Sequence, residues 1–100
     1  MICFPNAKIN IGLRVTEKRS DGFHNIETVF YPIHGLFDCL EFFESDKLVF
    51  ENAGIQIDTP PEKNLCVKAW NVFKSHYDIP PVHIILLKKI PFGGGLGGGS

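Results

Sequence analysis

Along residues 7–16, Ala7, Ile9, Ile11, Leu13 and Val15 alternate with Lys8, Asn10, Gly12, Arg14 and Thr16. A period of two predicts a half-buried strand whose polar face carries Lys8 and Asn10 side by side. Ser20-Asp21-Gly22 predicts a turn, and the Thr-, Val-, Phe- and Tyr-rich stretch from Asn25 to Ile33 predicts a second strand. Two shorter apolar runs, Asp38 to Phe43 and Lys47 to Glu51, flank Glu44-Ser45-Asp46 and read as a hairpin, with a further short strand expected over Gly54 to Asp58. Leu65, Ala69, Val72, Phe73 and Tyr77 then recur at helical spacing, which predicts a helix to about Tyr77. Thr59-Pro60-Pro61-Glu62 or Asn64 would cap it, and Pro80-Pro81 would stop it. Trp70, Phe73 and Tyr77 are expected in the core. Val82 to Leu87 is a dense aliphatic run and the best candidate for a central strand. A meander followed by a helix and a last strand argues for an α+β fold.

Composition narrows the function. The 100 residues are 44% hydrophobic and 21% charged, which excludes wholesale disorder and leaves room for one domain. A net charge of -1 lacks the basic excess of a nucleic-acid binder. The longest aliphatic run, Ile84 to Leu87, is far too short to span a bilayer. The opening Met1-Ile2-Cys3-Phe4-Pro5 has neither the basic nor the long apolar region of a secretory signal. A cytoplasmic protein with no nucleic-acid or membrane partner is therefore expected. Cys3, Cys39 and Cys66 form no C-x-x-C pair, and the four histidines show no ligand spacing, so no metal held by side chains alone is expected.

The glycines are unevenly placed. Six of the ten fall within residues 93–99, in Pro91-Phe92-Gly93-Gly94-Gly95-Leu96-Gly97-Gly98-Gly99-Ser100, directly after the strongest strand. A flexible linker would have this composition, but Leu96 and Pro91 do not serve flexibility. Gly93, Gly95 and Gly98 satisfy the dinucleotide pattern G-x-G-x-x-G, as any glycine run does, with no room left for its acidic ribose partner. The third reading is a phosphate cradle, in which backbone N–H groups converge on an anion without Cβ obstruction. No Lys follows the glycines, so the loop is not a Walker A loop.

This loop resembles the phosphate loop of the GHMP kinase superfamily. Ala7-Lys8-Ile9-Asn10, Asp21-Gly22-Phe23-His24 and Asn64-Leu65, in that order and spacing, resemble one branch of it, whose members phosphorylate the 2-hydroxyl of a cytidylyl-linked methylerythritol. The resemblance implies the amino-terminal, ATP-binding domain of such a kinase over residues 1–100, similar in fold to the second domain of ribosomal protein S5 and cut after the glycine loop. It further implies ATP and Mg2+ as cofactors, a place in isoprenoid precursor biosynthesis, and a small-molecule acceptor. Lys8 is implied as half of a catalytic pair whose Asp lies beyond the chain. Asn10, Phe23 and His24 are implied at the acceptor, with His24 reading cytosine and Phe23 stacking on it in place of a more common Tyr. Asn64, Leu65, Lys88 and the loop from Pro91 through Phe92, Gly93, Gly94, Gly95, Leu96, Gly97, Gly98 and Gly99 to Ser100 are implied at ATP. Lys88 could equally be a solvated strand end beside Lys89. The 100 residues alone are expected to be inactive and prone to self-association through exposed apolar faces. A kinase for homoserine, mevalonate or a sugar would share the loop but not Asp21-Gly22-Phe23-His24. A non-enzymatic S5-like module is the other alternative.

Overall fold

The computed structural model describes residues 1–98. Among the described residues, six strands and one α-helix follow one another as β1 (Ile2–Cys3), β2 (Asn6–Lys18), β3 (His24–Phe37), β4 (Cys39–Glu44), β5 (Val49–Gly54), α1 (Leu65–His76) and β6 (Val82–Lys88), with a 3-10 turn at Pro61–Lys63 before the helix. The fold is mixed α and β, in two separate sheets. One has four strands in the order β1-β4-β6-β5; the other is the long hairpin of β2 and β3.

The aliphatic run of β6 does sit centrally, paired antiparallel with β4 and parallel with β5. That placement corrects the hairpin expected from Glu44-Ser45-Asp46. β4 and β5 never meet, because β6 enters between them after α1, which makes β5-α1-β6 a crossover unit. A parallel neighbour needs such a crossover, and no local turn signal announces one. The extra strand expected over residues 54–58 is not formed either. Gly54 ends β5 with φ +78, and a Cβ there would lie 2.3 Å from the Lys88 carbonyl oxygen, so the chain turns away at this close approach. Ile2–Cys3, too short to show a period, pairs instead with β4.

Asn64, not the Thr59 box, caps α1: its Oδ1 accepts from the Cys66 amide at 2.8 Å. The aromatic residues expected in the core are not all there. Phe73 is 59% and Tyr77 63% exposed, and only Val67 of the helix is buried. Leu65, Ala69 and Phe73 instead line an apolar groove of about 610 Å³ whose other wall is Leu40, Phe42, Val82 and Ile84 of the sheet. The buried apolar core is small: Ala7, Val67, Ile84, Leu86 and Ile90. The radius of gyration is 15.9 Å, against roughly 13 Å for a compact domain of this length, so large apolar faces stand open. No described helix is long and apolar enough to cross a membrane.

Candidate nucleotide and acceptor site

The alternation read along β2 does not survive to its end. Lys8 and Asn10 pair with Pro32 and Phe30, but the register shifts between Ile11 and Leu13, where Gly12 takes φ +67, and again between Val15 and Glu17. Each shift is a β-bulge that puts two residues of β2 opposite one of β3 and so reverses which face the following side chains share. After the first, Leu13 faces Thr28 and Val15 faces Ile26; after the second, Lys18 faces His24. One face of the hairpin therefore carries Lys8, Asn10, Leu13 and Val15 together with Phe30, Thr28, Ile26 and His24. The strict alternation would have put Leu13 and Val15 on the opposite face. The strand is also not half-buried, since Ile9, Ile11, Leu13 and Val15 are all exposed.

Lys8 is where the hairpin meets the glycine loop. Its amide donates to the Leu96 carbonyl and its Nζ to the Gly95 carbonyl, both at 2.9 Å, and Nζ also donates to Asn10 Oδ1 at 2.7 Å. The Phe30 ring lies 5.5 Å from the same ammonium. Among the described residues no carboxylate pairs with it. In the loop, Gly93, Gly95 and Gly97 take φ of +68, +71 and +78, values that side-chain-bearing residues rarely adopt. A Cβ on Gly97 would stand 3.2 Å from Lys8 Cγ, and one on Gly98 would stand 2.8 Å from the Pro91 oxygen. Glycine is thus favoured by backbone shape at Gly93, Gly95 and Gly97 and required by close approach to backbone at Gly98. Gly99 and Ser100 lie outside the described residues.

A cleft of about 550 Å³ opens beside the loop, lined among others by Asn64, Leu65, Lys88, Phe92, Gly97 and Gly98. Six of the residues expected at ATP thus share one cavity. Its walls add Leu40, Leu86 and Ile57, an apolar slot of the kind that takes a flat ring, with Lys63 and Lys68 at the same opening.

Lys88 is not a solvated strand end. It is 3% exposed, and its Nζ donates to Asp38 Oδ2 at 2.6 Å. Asp38 Oδ1 accepts from the Lys89 and Ile90 amides at 2.7 and 2.8 Å, so one carboxylate fixes the ammonium and the first residues leading into the loop. Burial pushes the Asp38 carboxyl up, but the Lys88 ammonium and the Ile90 and Lys89 amides outweigh it and hold it below its ordinary 3.8. Burial likewise raises the pKa of the Cys66 thiol on the cleft wall. Asp38 was not singled out from the sequence. A carboxylate fifty residues from its partner leaves no local pattern, although a Lys ending a strand as apolar as β6 is a signal that some partner must exist.

Phe23 and His24 sit at the far end of the hairpin, roughly 30 Å along β2 from Lys8 at strand rise. Phe23 is 69% exposed. The Asp21 carboxylate shapes their turn: it pairs with Arg19 and accepts from the Phe23 amide at 3.0 Å, and these two contacts lower its pKa. The structure therefore gathers Lys8, Asn10, Asn64, Leu65, Lys88 and the loop at one end, and leaves Phe23 and His24 apart from them on the same hairpin face.

The chain is similar to known proteins over its whole length. A curated relative from Parabacteroides distasonis is 62% identical over 100 residues, and one from Bacteroides fragilis is 54% identical over 104 residues, both covering the whole of this chain. Each is a 4-diphosphocytidyl-2-C-methyl-D-erythritol kinase. The resemblance is to that kinase. A crystal structure of 4-(cytidine 5'-diphospho)-2C-methyl-D-erythritol kinase superposes with a TM-score of 0.73 at 32% identity, over 98% of this chain and 35% of the other. The chain spans 36% and 38% of the two curated kinases. No family model matches it.

Proposed function

We propose that the chain is the amino-terminal, S5-like portion of a cytoplasmic kinase that transfers the γ-phosphoryl group of ATP to the 2-hydroxyl of 4-diphosphocytidyl-2-C-methyl-D-erythritol, a step toward isoprenoid precursors. The observation that carries this is Lys8, joined at once to the glycine loop through Gly95 and Leu96 and to Asn10 on the face that carries His24. Phosphoryl transfer is chiefly positioning and charge neutralisation. A bond forms from the acceptor oxygen to phosphorus, the bond to the β–γ bridging oxygen breaks, and the hydroxyl proton passes to the carboxylate that the resemblance pairs with Lys8.

The chain's own residues divide that work. The cleft walls of Leu40, Leu65 and Leu86 suit adenine, and the glycine loop offers backbone N–H groups to the phosphates. The Lys8 ammonium meets charge that grows on the transferred group, and Asn10 bonds the acceptor hydroxyls. Phe23 offers a ring face to cytosine and His24 a polar edge. Mg2+ neutralises phosphate charge when bound. Phosphates and water would supply most of its ligands, as is usual for this ion.

The test uses full-length protein with ATP, Mg2+ and the cytidylyl acceptor. Lys8→Ala should lower kcat by about 10²-fold while leaving the KM for ATP within a few-fold, because the charge it meets develops in the transition state. The cytidylyl acceptor should be preferred over its uridylyl analogue by about tenfold, since an unpaired polar edge costs roughly 1–3 kcal/mol, and His24→Ala should erase that preference. Equal turnover of both analogues would overturn the base-reading role.

A further inference from the structure

We infer that Thr28 is a positioning residue for phosphoryl transfer, setting the Asn10 amide and through it the Lys8 ammonium; the inference rests on the proposed kinase reading. Most of the hairpin is exposed, yet Lys8, Asn10 and Thr28 are half-buried together on one face. They form a directed relay. Thr28 Oγ1 donates to the Gly12 carbonyl and accepts from Asn10 Nδ2 at 3.2 Å, while Asn10 Oδ1 accepts from Lys8 Nζ at 2.7 Å, and Nζ reaches on to the Gly95 carbonyl at 2.9 Å.

The direction is forced by donor count. A hydroxyl has one proton, and that of Thr28 is committed to Gly12, so toward Asn10 it can only accept. The Asn10 amide must then turn its NH2 to Thr28 and its oxygen to Lys8. Flipped, the amide would set NH2 against ammonium and lose both bonds. The β-bulge at Gly12 supplies the anchor, because its positive φ breaks the ladder register next to the Thr28 pairing and leaves its carbonyl for the hydroxyl. A hydrogen-bonded amide held in one orientation holds the ammonium at the loop instead of leaving it among rotamers.

The experiment compares Thr28→Val, which keeps shape and β-propensity but removes the hydroxyl, with Thr28→Ser, which keeps the hydroxyl, in the full-length protein. Thr28→Val should lower kcat about tenfold with the KM for ATP changed less than about twofold, and Thr28→Ser should recover to within about threefold of wild type. In an Asn10→Ala background, Thr28→Val should change kcat by less than about twofold, because the relay is already cut. Independently of activity, the Asn10 side-chain amide resonances in a 15N spectrum should move in Thr28→Val and stay in Thr28→Ser. A serine variant as impaired as the valine one, additive losses in the double mutant, or an unmoved Asn10 signal would each overturn the relay. Absence of turnover of the cytidylyl acceptor by the wild type would sink the kinase reading instead, and the amide spectra would still decide the relay.

Discussion

The two sheets of this protein hold their functional groups by opposite means. Beside the glycine loop, Asp38 takes the buried Lys88 ammonium and the Lys89 and Ile90 main-chain amides within 2.8 Å, and so fixes the entry to the loop. The β2–β3 hairpin has almost no core. It is held by its own ladder, and Ile11, Val29, Phe30 and Tyr31 stand open to solvent. The comparison shows what each end asks of its residues. A phosphate loop must present main-chain groups in one geometry, which a buried carboxylate can impose. A strand face that carries side chains in a given order needs only its ladder register, and two bulges are enough to set that order here.

The sharpest way to break the contrast is Asp38→Ala. It would leave Lys88 charged, buried and unpaired and free two amides, and should cost about 3–5 kcal/mol of stability in urea unfolding. An effect below about 1 kcal/mol would show that the ion pair is not what fixes the loop. A second prediction follows from the lowered Asp38 pKa. Its pairing stabilises fully above the ordinary 3.8 and is lost as pH falls through the lower folded value, so unfolding free energy should drop on acidification below about pH 4. Asp38→Asn should flatten part of that acid limb, and an unchanged limb would remove Asp38 from the account. The smallest effect belongs to the hairpin. Ile11→Thr replaces one exposed β-branched residue with another and should change stability by no more than about 0.5 kcal/mol. A loss of several kcal/mol there would mean that the exposed face is packed in solution, and the two regions would no longer differ in kind.

Much of this was legible in the residues. The alternation near Lys8, the Ser20-Asp21-Gly22 turn, the helix before Pro80 and the aliphatic run of β6 all follow from local propensity and appear where expected. The failures share a cause. The hairpin expected between β4 and β5 was a local guess overruled by a non-local strand; of the aromatic residues expected in the core, Trp70 and Phe73 line an apolar groove and Tyr77 is exposed. Thr28 and Asp38 gave no pattern at all, because each matters only for what lies across a ladder or fifty residues away.

By itself, then, the sequence determined the kinds of local structure, the glycine loop and the pairing of Lys8 with Asn10, since these rest on short-range sterics and side-chain spacing. Only the tertiary structure decided that β6 parts β4 from β5, that Lys88 is buried on Asp38, and that His24 shares a face with Lys8. The physical reason is that a bulge reverses side-chain facing with a single residue, and a buried charge chooses its partner by distance in space.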